Sequence, residues 1–275
     1  MNGAGVRTER DVPVTVITLD RPAVRNAIDP VTADALRRAF EDFEADPEAA
    51  VAVLTGEGGT FCAGADLTAF ARGAAFDITP AGPGPLGPTR MAFQKPVIAA
   101  IAGHAVAGGL ELALMCDLRV CDTTAVFGVF CRRWGVPLID GGTWRLPRLV
   151  GVSRALDLVL TGRAVTAEEA FAIGLANRVV PAGGALDAAR ALAHELARLP
   201  QACLQADRAA VYANLDASPQ QAFEREVLGA AHLLEEARRH ARRFAGGAGR
   251  HGQGANEADS VPGPSARATP GRDPD

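Results

Sequence analysis

The stretch Pro96–Met115, PVIAAIAGHAVAGGLELALM, carries the decision about the fold. Pro96 to Ile101 is an apolar run with no polar alternation, as expected for a short strand buried on both faces. Gly103 to Gly109 reads as a turn, and Leu110 to Met115 as the opening turns of an apolar helix. Strand, glycine turn and helix in that order leave free backbone N–H groups at a helix N-terminus, where negative charge is favoured.

Working outward, Asp117 to Cys121 predicts a further strand, and Gly141 to Val150, Ser153 to Thr161 and Thr166 to Ile173 predict short helices joined by glycines. Upstream, Val12 to Leu19 alternates as a strand, Asp20-Arg21-Pro22 breaks it, Thr32 to Phe43 has helical spacing, and Val51 to Leu54 is a short apolar strand. Gly73 to Pro88 is rich in Gly and Pro and has no period, which predicts a mobile surface loop outside the core. From Gly184 the pattern becomes wholly helical. The expected organisation is therefore an α/β core over 1–183, a helical subdomain over 184–245 and a disordered tail over 246–275, where large apolar residues are almost absent. Strand–strand–helix units recur loosely, without the constant period of a solenoid.

Composition narrows the class. The 275 residues are 48% hydrophobic and 22% charged, a globular balance, and a net charge of −4 gives no general attraction to nucleic acid or anionic membrane. No apolar run approaches the roughly 20 residues of a membrane helix, and the N-terminal residues have no targeting pattern, so the expected location is the cytoplasm. Cys62, Cys116, Cys121, Cys131 and Cys203 are odd in number, contain no CxxC pair and read as reduced thiols; no metal site is expected.

There is no GxGxxG after a strand, no GxxxxGK[ST] and no HExxH. What remains are two segments, Ala63-Gly64-Ala65-Asp66 and Ala107-Gly108-Gly109-Leu110-Glu111, in which small residues make backbone N–H groups available. Two such donors can converge on one carbonyl oxygen as an oxyanion hole. By spacing alone these glycines serve equally well as turn and helix-packing residues.

The runs Asp20–Ala27 (DRPAVRNA), Phe61–Leu67 (FCAGADL) and Ala102–Leu112 (AGHAVAGGLEL) closely resemble the crotonase, or enoyl-CoA hydratase/isomerase, superfamily. So do Cys116–Arg119, Gly141–Thr143, Leu160–Gly162 and Gly174–Asn177, in the same order, from about Val12 to Phe244. The resemblance implies a spiral of ββα units followed by helices that assemble a homotrimer or a dimer of trimers. It implies an acyl-CoA thioester substrate, with coenzyme A carried as part of the substrate and no further cofactor. The N–H groups of Ala65 and Gly108 would hold the thioester oxygen, and Arg25 with Ala63, Ala65, Asp66 and Leu67 would lie against coenzyme A. The loop 73–88 would flank the acyl pocket.

Hydratases of the family use two glutamates. Glu111 falls on the first position, and Cys131 stands where the second would be. A thiol with a reference pKa of about 8.5 does not replace a carboxylate as a proton carrier at neutral pH. Asp140, directly before Gly141-Gly142, is the compensating candidate, because several isomerases of the superfamily carry a catalytic aspartate at or beside this place; it would also serve as a helix N-cap. His104 is expected to pack rather than to transfer protons. Three readings follow: hydration of a 2-enoyl-CoA with Glu111 and Asp140, double-bond isomerisation with Asp140 as base, and acyl-CoA binding without turnover.

Overall fold

In VTVITL and VAVLTG nearly every side chain is buried, the pattern of parallel strands covered on both faces. The computed structural model describes residues 2–247, so most of the tail expected over 246–275 lies outside the described residues. The chain begins with β1 (Asn2–Gly3), β2 (Val6–Asp11) and β3 (Val14–Leu19), which pair antiparallel. Next comes α1 (Pro30–Ala45), whose N-cap Asp29 accepts the Thr32 N–H at 2.8 Å, with Pro30 at the first helical position. Beyond it are β4 (Val51–Gly56) and the short α2 (Leu67–Ala71), capped by Asp66.

The opening stretch folds as β5 (Val97–Ile101), β6 (His104–Val106) and α3 (Gly108–Met115). The same sequence of elements then repeats: β7 (Leu118–Asp122), β8 (Val126–Gly128), a 3-10 turn Phe130–Trp134 and α4 (Gly142–Val150). β5 pairs with β7 and β6 with β8, both parallel, so the second strand–strand–helix unit stacks on the first in two sheets at once. An earlier turn is visible where β4 pairs with β5 and Cys62 bridges Ala105. α5 (Val152–Thr161), β9 (Val165–Thr166), α6 (Ala167–Ala172), β10 (Arg178–Val180) and α7 (Ala185–Ala197) follow. The larger sheet has the order β1-β2-β3-β4-β5-β7-β10, and the smaller β6-β8-β9.

One face of the larger sheet carries Ile17, Leu54 and Ile101 against Leu36, Phe40 and Phe43 of α1. The other carries Val16, Val53 and Ile98 against Ala189, Leu192 and Ala193 of α7. This corrects the expected boundary at 183/184. A parallel sheet needs cover on both faces, and α7 supplies the second, so the first compact unit runs to Ala209. α8 (Gln201–Ala213) crosses that limit, and the second unit, from Ala210, holds α9 (Pro219–Ala230) and α10 (Leu234–Ala245). α9 opens with a capping box between Ser218 and Gln221. A 3-10 turn at Ala231–Leu233 separates α9 from α10.

The loop expected to lie outside the core is only half so. Gly84 to Thr89 are all buried, and Leu86 belongs to the main core cluster. Proline and glycine remove periodicity, but they do not prevent a segment from packing once its polar groups find partners.

Candidate active site

The two glycine-rich segments meet. Ile28 pairs with Ala65 in a parallel bridge: its N–H donates to Gly64 O at 2.8 Å, and Asp66 N–H donates to Ile28 O at 2.8 Å. This places the intervening Ala65 N–H on the other side of the strand. Gly64 has φ +93°, and a Cβ there would stand 2.7 Å from the backbone nitrogen of Gly108. A side chain cannot fit between the segments. Gly108 is the first residue of α3 and has no intrahelical acceptor for its N–H. Among the described residues neither the Ala65 nor the Gly108 N–H has a hydrogen-bond partner. Ala107, just before Gly108, sits at φ 54° and ψ −125°, a conformation that L-residues rarely adopt and that concentrates at functional sites.

Both donors open onto a cavity of about 720 Å³, which is also lined by Glu111, Cys131 and Asp140. Glu111 is 2% exposed in the first turn of α3. Its Oε1 accepts the N–H groups of Asp140 at 2.9 Å and Gly142 at 2.8 Å. Gly142 is required by that approach, because a Cβ would stand 2.9 Å from both Cγ and Oε1 of Glu111. Burial, with a smaller contribution from the charge of Asp140, pushes the Glu111 carboxyl up to about 7; the two N–H donors oppose the shift.

Asp140 is buried as well. Its Oδ1 accepts the Leu86 N–H at 3.0 Å and the Thr89 hydroxyl. Burial raises its pKa, against these hydrogen bonds and the nearby charges of Arg90 and Arg145. It is not the N-cap of α4, whose cap is Gly141 with no side-chain hydrogen bond, so the capping role weighed for it in the sequence does not apply.

Cys131 lies in the 3-10 turn after β8 and is nearly buried; burial and the charge of Glu111 raise its thiol, which stays protonated and neutral. Thus Glu111, Asp140, Ala65 and Gly108 come together, and Arg25, Ala63 and Leu67 line the same cavity. Asp66 does not. Its carboxylate is taken by the N–H groups of Thr68 and Ala69 and by Arg21 at 3.2 Å, so it fixes the start of α2 instead of facing a ligand. His104 lines the cavity beside the donors.

The residues that hold Asp140 were not legible in the sequence. Leu86 and Thr89 reach it across 54 and 51 positions, and Arg145 binds both Asp140 O at 3.0 Å and Thr89 O at 2.7 Å. Within the Asp20–Ala27 motif, Arg21 and Asn26 are scaffold, while Arg25 faces the cavity. Asn26, 1% exposed, donates to Glu57 O and Thr60 O, and Arg21 pairs with Asp29 and Asp66, which fixes the strand that presents Ala65. Among the described residues there is no group of three or more potential metal ligands and no helix long and apolar enough to cross a membrane.

The sequence profile of the enoyl-CoA hydratase/isomerase family matches residues 9–246. Carnitinyl-CoA dehydratase of Salmonella arizonae is 44% identical over 194 residues, covering 70% of this chain and 74% of that protein. The crystal structure of the enoyl-CoA hydratase EchA1 from Mycobacterium marinum superposes with a TM-score of 0.83 at 34% identity, covering 89% of this chain and 96% of that one. A carnitinyl-CoA dehydratase from Mycobacterium avium gives a TM-score of 0.73 at 37% identity, covering 85% and 94%.

Proposed function

The chain belongs to the enoyl-CoA hydratase/isomerase family, and from that premise we infer that it adds water to a 2-enoyl-CoA thioester and removes it in the reverse direction. One observation carries the reading: two buried carboxyl groups, Glu111 and Asp140, line one cavity with two unengaged backbone donors. Addition of water to C3 drives negative charge onto the thioester oxygen. The N–H groups of Ala65 and Gly108 meet that charge, the second at a helix N-terminus that favours it further. Glu111, titrating near 7, orients water and accepts its proton; Asp140 exchanges the proton at C2. Arg25, Ala63 and Leu67 support the coenzyme A moiety at the cavity wall. The dehydratase relatives, which by name remove water from a CoA thioester, favour this direction of chemistry.

Cys131 favours a second reading. With a neutral thiol at that place, a single carboxylate can carry a proton from one carbon to another, which is isomerisation of a 3-enoyl-CoA. Incubation with crotonyl-CoA and with a 3-enoyl-CoA in heavy-oxygen water, followed by mass spectrometry, separates the two. Labelled 3-hydroxyacyl-CoA that disappears in Glu111→Gln supports hydration. Unlabelled 2-enoyl-CoA from the 3-enoyl substrate, lost in Asp140→Asn, would replace it with isomerisation.

A homotrimer or a dimer of trimers is part of the proposal. Phe223, Val227 and Leu228 of α9 are more than half exposed in the single chain and are the kind of surface that association covers. Light scattering coupled to size exclusion tests this, and a monomer would refute it. A reducing, cytoplasmic location is proposed on the strength of four buried free thiols.

A further inference from the structure

A carboxylate that transfers protons must present one oxygen to the substrate and hold it there. Asp140 is held entirely through the other. The Leu86 N–H at 3.0 Å and the Thr89 hydroxyl both donate to Oδ1, and no hydrogen bond among the described residues engages Oδ2. Thr89 has no exposed surface. It is tied a second time through its carbonyl oxygen, which accepts from Arg145 Nη2 at 2.7 Å, while Arg145 Nη1 donates to Asp140 O at 3.0 Å. Arg90, next along the chain, donates to Ile139 O at 2.8 Å. The loop is thereby bound to Asp140 and its neighbour Ile139 by three hydrogen bonds, and Arg145 of α4 bridges the Thr89 and Asp140 carbonyls.

Space around Thr89 is equally restricted. A Cβ at Gly84 would stand 2.1 Å from the Thr89 Oγ1, so the glycine makes room for the hydroxyl. Leu86, whose N–H shares Oδ1, places its Cδ1 2.3 Å from where a Cβ on Gly108 would be. One six-residue segment therefore touches both an oxyanion donor and the carboxylate.

We propose that Thr89 is a positioning residue for proton transfer: its hydroxyl saturates Oδ1 of Asp140 and turns Oδ2 toward the reacting carbon. The proposal rests on the reading that Asp140 exchanges a proton with substrate. The charged groups facing Asp140 are Glu111 from α3, Arg145 from α4 and Arg90 from the loop, and none of them is altered by a change at Thr89. Removing the hydroxyl withdraws a donor that stabilises the carboxylate, so the Asp140 pKa rises.

The test compares Thr89→Val, which keeps the shape, with Thr89→Ser, which keeps the hydroxyl, on crotonyl-CoA and a 3-enoyl-CoA. Thr89→Val is expected to lower kcat roughly tenfold to a hundredfold, part of what positioned proton transfer contributes. KM should stay within about twofold, and the limb of the pH–rate profile set by Asp140 should move upward: the basic limb on crotonyl-CoA, where Asp140 gives a proton to C2, and the acidic limb on the 3-enoyl-CoA, where it takes one. Thr89→Ser is expected to restore both kcat and the limb. If the valine variant does not fold, as judged by its melting curve, Thr89→Ala against Thr89→Ser makes the same comparison. Wild-type kcat and an unmoved limb in a folded variant without the hydroxyl overturn the proposal. If Asp140→Asn is itself fully active, the underlying reading fails first; if it is inactive while Thr89→Val is unaffected, only the role of Thr89 fails.

Discussion

Glu111 accepts two backbone N–H groups yet titrates near 7, so removal from water outweighs the donors that favour its anion. The sign of its effect on stability follows. An unfolded glutamate titrates near 4.5, and between that pH and about 7 the folded chain keeps a proton that the unfolded chain has released. Stability contributed by this group is complete below the lower value and is lost as pH rises to the upper. Glu111→Gln cannot ionise. It should melt higher than the parent at about pH 8, by at most about 3 kcal/mol equivalent, and match it near pH 4.5. Equal melting temperatures across the range would show that the carboxyl is not destabilised by burial. Glu111 and Gly108 were legible in the sequence because a glycine pair at a helix start is a local signal. Thr89 and Arg145 were not, because what matters about them is a contact with Asp140 across the chain or through a carbonyl, and neither leaves a pattern in residue type.

At the level of elements, the approach of the 63–66 segment to α3 is set by one missing side chain. Gly64→Ala would push a methyl against the Gly108 nitrogen at a φ of +93° that alanine tolerates poorly. The expected result is a fall in kcat of about 10²–10³, the usual effect of losing one oxyanion donor. Retained secondary structure in circular dichroism would separate this from unfolding, and wild-type turnover would refute the geometry. The strands β3, β4, β5 and β7 and the helix α1 were readable from apolar runs and helical spacing. β2 was not, since VRTERD is an edge-side strand whose Glu9 and Arg10 point to Arg190, Asp46 and Glu48, a charged pattern that resembles a loop. β6 hid inside what reads as a glycine turn, because three residues are too few to show a period.

Across the whole molecule, the larger sheet separates two cores, one under α1 and one under α7. Phe40→Ala on the first side should cost about 3–5 kcal/mol and Leu192→Ala on the second about 2–5 kcal/mol. Because the sheet keeps the two sites out of contact, their effects in denaturant titrations should add within about 0.5 kcal/mol in the double variant. A large coupling energy would mean that the cores are not independent. The composition of α7 announces a helix but not its partner, which is why the chain appeared to change character at Gly184 when the core continues through α7.

The buried segment Gly84 to Thr89 bears on how this scaffold can be altered. Leu86 shapes the cavity wall beside Gly108, while its backbone and Thr89 hold the Asp140 carboxylate. If Asp140 exchanges the substrate proton as proposed, substrate range and chemical rate are written in the same few residues. A loop exchange meant to admit a larger acyl group would alter turnover as well, and selection for a new substrate at this position has to retain a hydroxyl-bearing residue at 89 while the rest of the segment varies.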